Sequence, residues 1–391
     1  MTRTRVLTLS KPYVSATNRR KFTLLAREPE WEIGLICPDQ WANVKFEQPA
    51  ENESYSIRHL PIAFNGRNHF HYYRGLQRAI EEFRPDILNV EEEHYSLVTF
   101  QAFHIARRLG IKPLFFAWQN IHKRYPLPFR MIESYVFRHA RLAVVGNQSA
   151  ADSIRAKGYG GEVFRTPQVG VDLSLYLQKG DPEEAGKKQQ KIRADLGLPA
   201  DDFIVLGAGR IVSEKGFQHL IEASDHLRDR PVTVVIVGSG PHAGPLQELR
   251  DRLRLGDRVR LIPFVPSLQM PAWFQAADVL CQPSLTRPNW KEQGPTRVIS
   301  EAMASGANVI VSDSGELPDV VGDAGLIFPE GDAAQLARSI VQIMDHPDEA
   351  RQRRDRAARR VVDRFSDQAI ADRFSEAFRL VRDMPDTPPQ R

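Results

Sequence analysis

Residues 292–306 read Glu-Gln-Gly-Pro-Thr-Arg-Val-Ile-Ser-Glu-Ala-Met-Ala-Ser-Gly, a Gly-Pro corner running into a short amphipathic segment. A helix start offers unpaired backbone N–H groups and partial positive charge, so it holds a phosphate. Glu292 and Gln293 stand before that start, and Glu301 lies inside the helix. A carboxylate in that position takes the hydroxyls of a ribose or a sugar. Val298, Ile299, Ala302 and Met303 make the buried stripe, with Arg297 and Glu301 one turn apart on another face. Alone, that pair reads as a surface contact worth about 0.3–0.5 kcal/mol. The Gly294-Pro295 corner and Thr296, a helix-capping residue, argue for more. Together these groups suit a sugar carried on a nucleotide diphosphate.

Further chemistry sits at other turns. In Gly207-Ala208-Gly209-Arg210-Ile211-Val212-Ser213-Glu214-Lys215-Gly216, small residues let a ligand approach the backbone. Arg210 and Lys215 then present two cations, one suited to a bidentate phosphate grip and one a point charge. A plain strand–turn–helix with a solvated Lys215 is the competing reading. Gly238-Ser239-Gly240 admits a base or phosphate, although turns need glycine anyway. Glu91-Glu92-Glu93-His94 is acidic, but three adjacent carboxylates cannot all face one ion and no Asp-x-Asp occurs. A polar loop facing a cleft is the better reading, and no metal is expected. Trp118 to Pro126 is rich in hydrogen-bonding groups; Gln119, Asn120 and His122 either touch a sugar or form a capped loop. Asn18-Arg19-Arg20-Lys21 reads as a solvated helix start, or as a contact for an anionic acceptor or lipid headgroup.

The elements that carry these groups alternate. Strands are predicted at Arg5–Ser10, Glu32–Cys37, Asp86–Val90, Lys112–Trp118 and Leu142–Gly146, with helices at Tyr72–Glu82, Ser96–Leu109, Phe129–Ala140 and Ser149–Lys157. Lys179-Gly180-Asp181-Pro182 to Lys191 reads as a solvated insertion or linker. The pattern then restarts, with strands at Phe203–Ala208, Val232–Val237, Val259–Pro263, Val279–Gln282 and Asn308–Ser312. Such β-α alternation predicts parallel sheets covered on both faces, with ligands beyond the carboxyl ends of the strands. The tail Gln368–Met384 puts Ile370, Phe374, Ala377, Phe378 and Val381 on one helical face.

A chain of 391 residues is too long for one core, and two α/β domains are expected. The charge of +4 is too mild to indicate nucleic acid, but it fits anionic substrates or lipid surfaces. Cys37 and Cys281 form no metal or redox spacing, so reduced thiols are expected. No apolar run approaches ~18 residues, and Val6–Leu9 is too short for a signal-peptide core. A cytoplasmic protein is expected, with peripheral contact at the inner face of the cell membrane admitted.

The order Gly209-Arg210…Lys215-Gly216, Gly238-Ser239-Gly240-Pro241, Phe264-Val265-Pro266, Ala276-Ala277-Asp278-Val279, Pro283-Ser284 and Glu301-Ala302-Met303-Ala304-Ser305-Gly306 closely resembles the retaining GT-B glycosyltransferases of family four. The resemblance covers about residues 200–365 with specific motifs. It continues more loosely through Val145-Gly146-Asn147-Gln148-Ser149 and Gly170-Val171-Asp172. It implies two Rossmann-like domains with a deep interdomain cleft and a C-terminal crossover helix. The first domain is expected over 1–175 with the crossover helix 368–384, and the second, donor-binding one over 195–365. By this likeness Arg210 and Lys215 hold the donor diphosphate, with Gly209, Gly238 and Gly240 close by. Gly294, Pro295 and Thr296 lead the helix start to the same phosphates, Glu301 takes the ribose, and Phe264 and Val265 lie along the base. Glu93, His94, Gln119, Asn120 and His122 fall on the acceptor or sugar side.

Three departures stand out. The family carries an acidic residue eight positions before Glu301, where this chain has Gln293 and, one further back, Glu292. Either Gln293 replaces the carboxylate or an extra loop residue brings Glu292 into place. The family's histidine after an N-domain strand matches Gln119, with His122 three residues on. The glycine-rich loop after the first strand is Lys11-Pro12-Tyr13-Val14-Ser15-Ala16-Thr17. The resemblance implies metal-independent, retaining transfer of a hexosyl group from a UDP- or GDP-sugar to a glycan or lipid-linked acceptor, in envelope or exopolysaccharide synthesis. By the same analogy a leaving-phosphate oxygen takes the acceptor proton. Two alternatives share the architecture: a nucleotide-sugar epimerase, which needs no acceptor, and a non-catalytic nucleotide-sugar binder.

Overall fold

The computed structural model describes residues 3–49, 53–177, 182–294 and 297–385. The chain divides into two units, Met1–Gly170 with Asp367–Arg391, and Val171–Ser366. Residues 171–175, expected in the first domain, therefore fold with the second unit. The Val171 N–H donates to the Phe365 carbonyl at 2.8 Å.

The first unit holds a seven-stranded sheet: β1 (Thr4–Leu9), β2 (Trp31–Pro38), β3 (Ser56–Leu60), β4 (Ile87–Val90), β5 (Lys112–Ala117), β6 (Leu142–Val145) and β7 (Glu162–Arg165). Its spatial order is β7-β6-β5-β4-β1-β2-β3, parallel throughout. The second unit repeats the plan with β8 (Phe203–Ala208), β9 (Val232–Val237), β10 (Val259–Ile262), β11 (Val279–Gln282), β12 (Asn308–Ser312) and β13 (Leu326–Phe328). Its order is β10-β9-β8-β11-β12-β13, also parallel. Both are Rossmann-like sheets of an α/β protein. The strand order reverses between β1 and β4 in one unit and between β8 and β11 in the other. Crevices open at such switch points, beyond the carboxyl ends of the strands. Strands such as β9, Val-Thr-Val-Val-Ile-Val, are buried along their whole length, because helices cover both faces.

The helix Asp367–Asp383 belongs to the first unit. Ile370, Ala371, Phe374, Ala377, Phe378 and Val381 pack into the core with Trp31, Phe116 and Val144. The Trp31 indole donates to Ser375 Oγ at 2.8 Å, and Lys112 Nζ donates to the Arg382 carbonyl at 3.0 Å, capping the helix end.

Several expectations are corrected. The stretch read as a solvated insertion or linker is helical from Pro182: Pro182–Asp195 is a largely exposed helix, fixed by Arg193, which donates to the Ala276 carbonyl and pairs with Asp278 at 2.6 Å, while residues 179–181 lie outside the described residues. The helix predicted at Tyr72–Glu82 begins only at Leu76, after Gly75 at φ +75°; Tyr72–Tyr73 pairs instead with Ile62–Ala63. The edge strands β3, β7 and β13 are half-exposed and lack a continuous apolar run, so the sequence pattern passes over them. Among the described residues no helix is long and apolar enough to cross a membrane.

Candidate functional site

In the second unit, the chain leaves β8 through Gly209 and is braided to its neighbours. The N–H groups of Gly209, Ile211 and Gly238 donate to the carbonyls of Val237, Ser239 and Ile262 at 2.8–3.0 Å. A Cβ on Gly238 would lie 1.9 Å from the Gly209 carbonyl oxygen, and one on Gly240 2.2 Å from that of Ile211. The Gly-x-Gly thus serves a close approach of chain to chain. Gly209 itself faces open space. The Arg210 side chain beside it is exposed, and its guanidinium has no hydrogen-bond or ion-pair partner among the described residues.

The short turn Ser213–Lys215 ends at Gly216, φ +66°, where a Cβ would sit 1.8 Å from the Pro283 carbonyl oxygen. This contact seats the turn on the end of β11, and the Leu285 N–H donates to the Glu214 carbonyl at 2.8 Å. Lys215 Nζ consequently meets Glu292 Oε1 at 2.5 Å, with both side chains largely buried. Ser284 Oγ donates to the same Oε1 at 2.6 Å and receives the Gln282 amide at 2.9 Å. The Trp290 ring lies 5.7 Å from Lys215 Nζ. Of the two residues left open by the spacing, Glu292 is the one turned inward onto the cation, while Gln293 is exposed. Gly294 is buried at φ +125°; Pro295 and Thr296 lie outside the described residues.

The helix Arg297–Ala304 buries Ile299, Ala302 and Met303 in the core, which fixes Glu301 on its other side. Glu301 Oε1 accepts from Arg297 Nε at 3.2 Å. Burial pushes the Glu301 carboxyl up, against the opposing pull of Arg297 and of a hydrogen bond from Tyr176. Tyr176 was not foreseen: it ends the helix Leu173–Tyr176, which Asp172 caps through the Ser174 N–H at 2.9 Å. Phe264 is 71% exposed just beyond β10, while Val265 packs against the core.

In the first unit the acidic run divides into separate roles. Glu91 is an internal counterion: Lys21 Nζ approaches its two oxygens at 2.7 and 2.9 Å, and Tyr13 and Asn89 donate to it. Glu92 pairs with Lys11 and accepts the Lys11 N–H at 2.8 Å, so the residue replacing the family's glycine loop is tied to this carboxylate. Glu93 Oε1 accepts the Trp118 N–H at 3.0 Å, and His94 Nε2 meets Glu133 Oε1 at 2.9 Å. Gln119 donates to Tyr125 Oη at 2.9 Å, Asn120 is buried and His122 is exposed. The basic run at 18–21 is not the solvated patch it resembles. Arg19 is buried against Glu53, at 3.0 Å, and Lys21 against Glu91; of its three cations only Arg20 reaches solvent. Acidic partners far along the chain hold the other two inside. Among the described residues no group of three His, Cys, Asp or Glu side chains is placed to hold a metal ion.

Residues 188–361 match the family described as glycosyl transferases group 1. A 2-deoxystreptamine glucosyltransferase of Streptomyces kanamyceticus is 34% identical over 170 residues, 42% of this chain and 42% of that protein. A D-inositol 3-phosphate glycosyltransferase of Streptomyces coelicolor is 29% identical over 331 residues, 77% of this chain and 71% of its own. HepE from Anabaena, solved in complex with UDP, superposes with a TM-score of 0.72 at 18% identity, covering 96% of this chain and 100% of that one. This last likeness establishes the shared GT-B architecture of two Rossmann-like units.

Proposed function

We propose that this glycosyltransferase, whose residues 188–361 form a glycosyl transferases group 1 domain, moves a hexosyl group from a UDP- or GDP-sugar to a glycan or lipid-linked acceptor, with retention and without a metal ion. The observation that carries this reading is the convergence of Lys215, Glu292 and Ser284 at the switch point between β8 and β11, with Arg210 open beside them. An ammonium has three N–H donors and Glu292 takes one, so Lys215 keeps donors for a diphosphate. As the anomeric carbon–oxygen bond breaks, charge grows on the leaving phosphate oxygens. Fixed cations placed there stabilise the transition state more than the ground state. Arg210 and Lys215 supply that charge, the part a divalent ion plays elsewhere. Glu292 holds Lys215 in register, and Glu301 with Tyr176 offers a carboxylate and a phenol to the ribose hydroxyls. The exposed Phe264, just beyond β10, offers a ring to a base.

A transfer assay with α-linked UDP- and GDP-sugars tests the reading. Turnover is expected to persist in EDTA and to give the α-product. Abolition by EDTA, or a β-product, would overturn the metal-independent retaining chemistry.

A further inference from the structure

One face of the first unit lies outside the donor chemistry. It is built from the loop 61–75, the helix Leu97–Leu109 and the segment 119–141, which contains the helix Leu127–His139. Four large apolar side chains stand out on it: Phe64, Phe70, Leu127 and Met131 are between 48% and 68% exposed. Ring contacts tie the three stretches together. Phe64 lies 6.2 Å from Tyr72 between ring centres, Phe70 lies 5.2 Å from Phe129, and Phe100 lies 5.1 Å from Tyr135. Tyr72 and Phe100 also line a groove of about 480 Å³, with Leu76, Leu97 and Ile105. Contiguous apolar surface left open in this way marks an interaction site.

Charge says what covers it. The three stretches hold nine Lys and Arg against one Asp or Glu, whereas the rest of the chain holds 44 against 48. The net positive charge of the protein is therefore concentrated here. Arg67, Arg107, Arg124, Arg130 and Arg138 are all exposed. The one carboxylate, Glu133, is turned inward, where its Oε1 meets His94 Nε2 at 2.9 Å and Lys157 Nζ at 2.8 Å. On the neighbouring helix Leu76–Phe83, Glu82 is paired with Arg58 and Arg78, and Glu81 accepts from Gln77. Along Leu127–His139, the exposed Leu127, Met131, Ser134 and Arg138 recur at helical spacing on the outer side, with Val136 buried behind them.

We propose that this face docks the protein on an anionic lipid surface, with Phe64, Phe70, Leu127 and Met131 entering the boundary between headgroups and chains and the arginines around them pairing with lipid phosphates. An arginine suits that boundary: its stem lies along the apolar layer while its fork of N–H donors meets phosphate oxygens. Apolar side chains interleaved with Lys and Arg are the composition of elements that lie in a lipid interface. An acidic surface alone would match the arginines but leave the exposed rings against water. A second copy of this chain, docked symmetrically through the same face, would set like charges opposite each other. The contact lies away from the basic run at 18–21, two of whose cations are internal. It needs residues of the first unit only.

The test is sedimentation of the full chain with vesicles of phosphatidylcholine alone, or of phosphatidylcholine mixed with phosphatidylglycerol. At low salt the wild type binds the anionic vesicles at least about 10-fold more tightly than the neutral ones, and added salt releases it. Arg130→Gln with Arg138→Gln weakens that binding about 30-fold, since each basic side chain is worth about fivefold at an anionic surface. Leu127→Ser with Met131→Ser weakens it about 10-fold or more through lost apolar burial. All four side chains are exposed, so thermal melts of both variants match the wild type. No binding to the anionic vesicles at low salt, or equal binding by the wild type and both variants, would overturn the proposal. So would a concentration-dependent dimer in sedimentation velocity that Leu127→Ser with Met131→Ser abolishes, without vesicle binding; the face would then join two copies of the chain. No sugar or nucleotide enters the measurement, so its outcome is independent of the transferase reading.

Discussion

Replacing Lys215 by alanine lowers kcat by about 100- to 1,000-fold, the loss typical of removing one preorganised group that stabilises transition-state charge. The variant also removes the Lys215 ammonium from the buried Glu292 carboxylate, to which Ser284 still donates. Two effects must therefore be separated, since removing the cation of a buried ion pair destabilises the second unit by itself. The double variant Lys215→Ala with Glu292→Gln removes the carboxylate charge. It should regain most of the lost stability in a thermal melt and none of the lost turnover. If Lys215→Ala turns over at near wild-type rate, or if the double variant recovers kcat, Lys215 does not serve the diphosphate. Steady-state kinetics alongside melts of both variants distinguish these results.

The second large effect falls on stability. Lys21→Met should destabilise the first unit by about 3–5 kcal/mol, the penalty for stranding one partner of a buried ion pair. Lys21 is 1% and Glu91 3% exposed. The pair sits beneath the helix Asp367–Asp383, where Lys21 Nζ lies 3.7 Å from the Phe374 ring centre. For a unit of this size the midpoint drops on the order of 10 °C. Adding Glu91→Gln should restore more than half of the loss, because the amide removes the stranded charge and still accepts from Asn89. Chemical denaturation followed by Trp31 fluorescence measures both variants. A change below about 1 kcal/mol for Lys21→Met would mean that the pair is solvated in solution. The same experiment bears on the basic run at 18–21: two of its cations are internal supports rather than a surface for anionic lipid.

Where the sequence was legible, burial made it so. Buried β-branched runs such as Val232–Val237 and Asn308–Ser312 announce central strands with their true ends. Charged helices are harder. Pro347–Arg364 buries only Ala350, Ala357 and Val361 among many arginines, so no apolar stripe marks it. The same holds for Pro182–Asp195, whose anchor is one arginine bonded to carbonyls. At the candidate site, the motifs pointed to Arg210, Lys215 and Glu301 but left Glu292 and Gln293 open. That choice depends on where Ser284 and the 213–216 turn lie, a tertiary fact that local spacing does not contain. Tyr176 was invisible for the same reason, being 125 positions before the Glu301 it touches. Glu91-Glu92-Glu93-His94 looked like one acidic loop. The chain bends at Glu92 and enters a turn at His94, just beyond β4, and its members acquire Lys21, Lys11, Trp118 and Glu133 as separate partners.

The central claim is that the end of β8 and the Lys215–Glu292 pair form a nucleotide-sugar diphosphate site. Thermal melts of the full-length wild type and of the double variant Lys215→Ala, Glu292→Gln, each with UDP, GDP and their glucose and mannose conjugates, test it most directly. Binding to the folded state alone stabilises it by about 2.7 kcal/mol at a ligand concentration 100-fold above Kd. The expected result is that nucleotides of one base raise the wild-type midpoint by several degrees, unchanged by EDTA, while the double variant does not respond. An equal response in both proteins, or none to any of these nucleotides in the wild type, would contradict it.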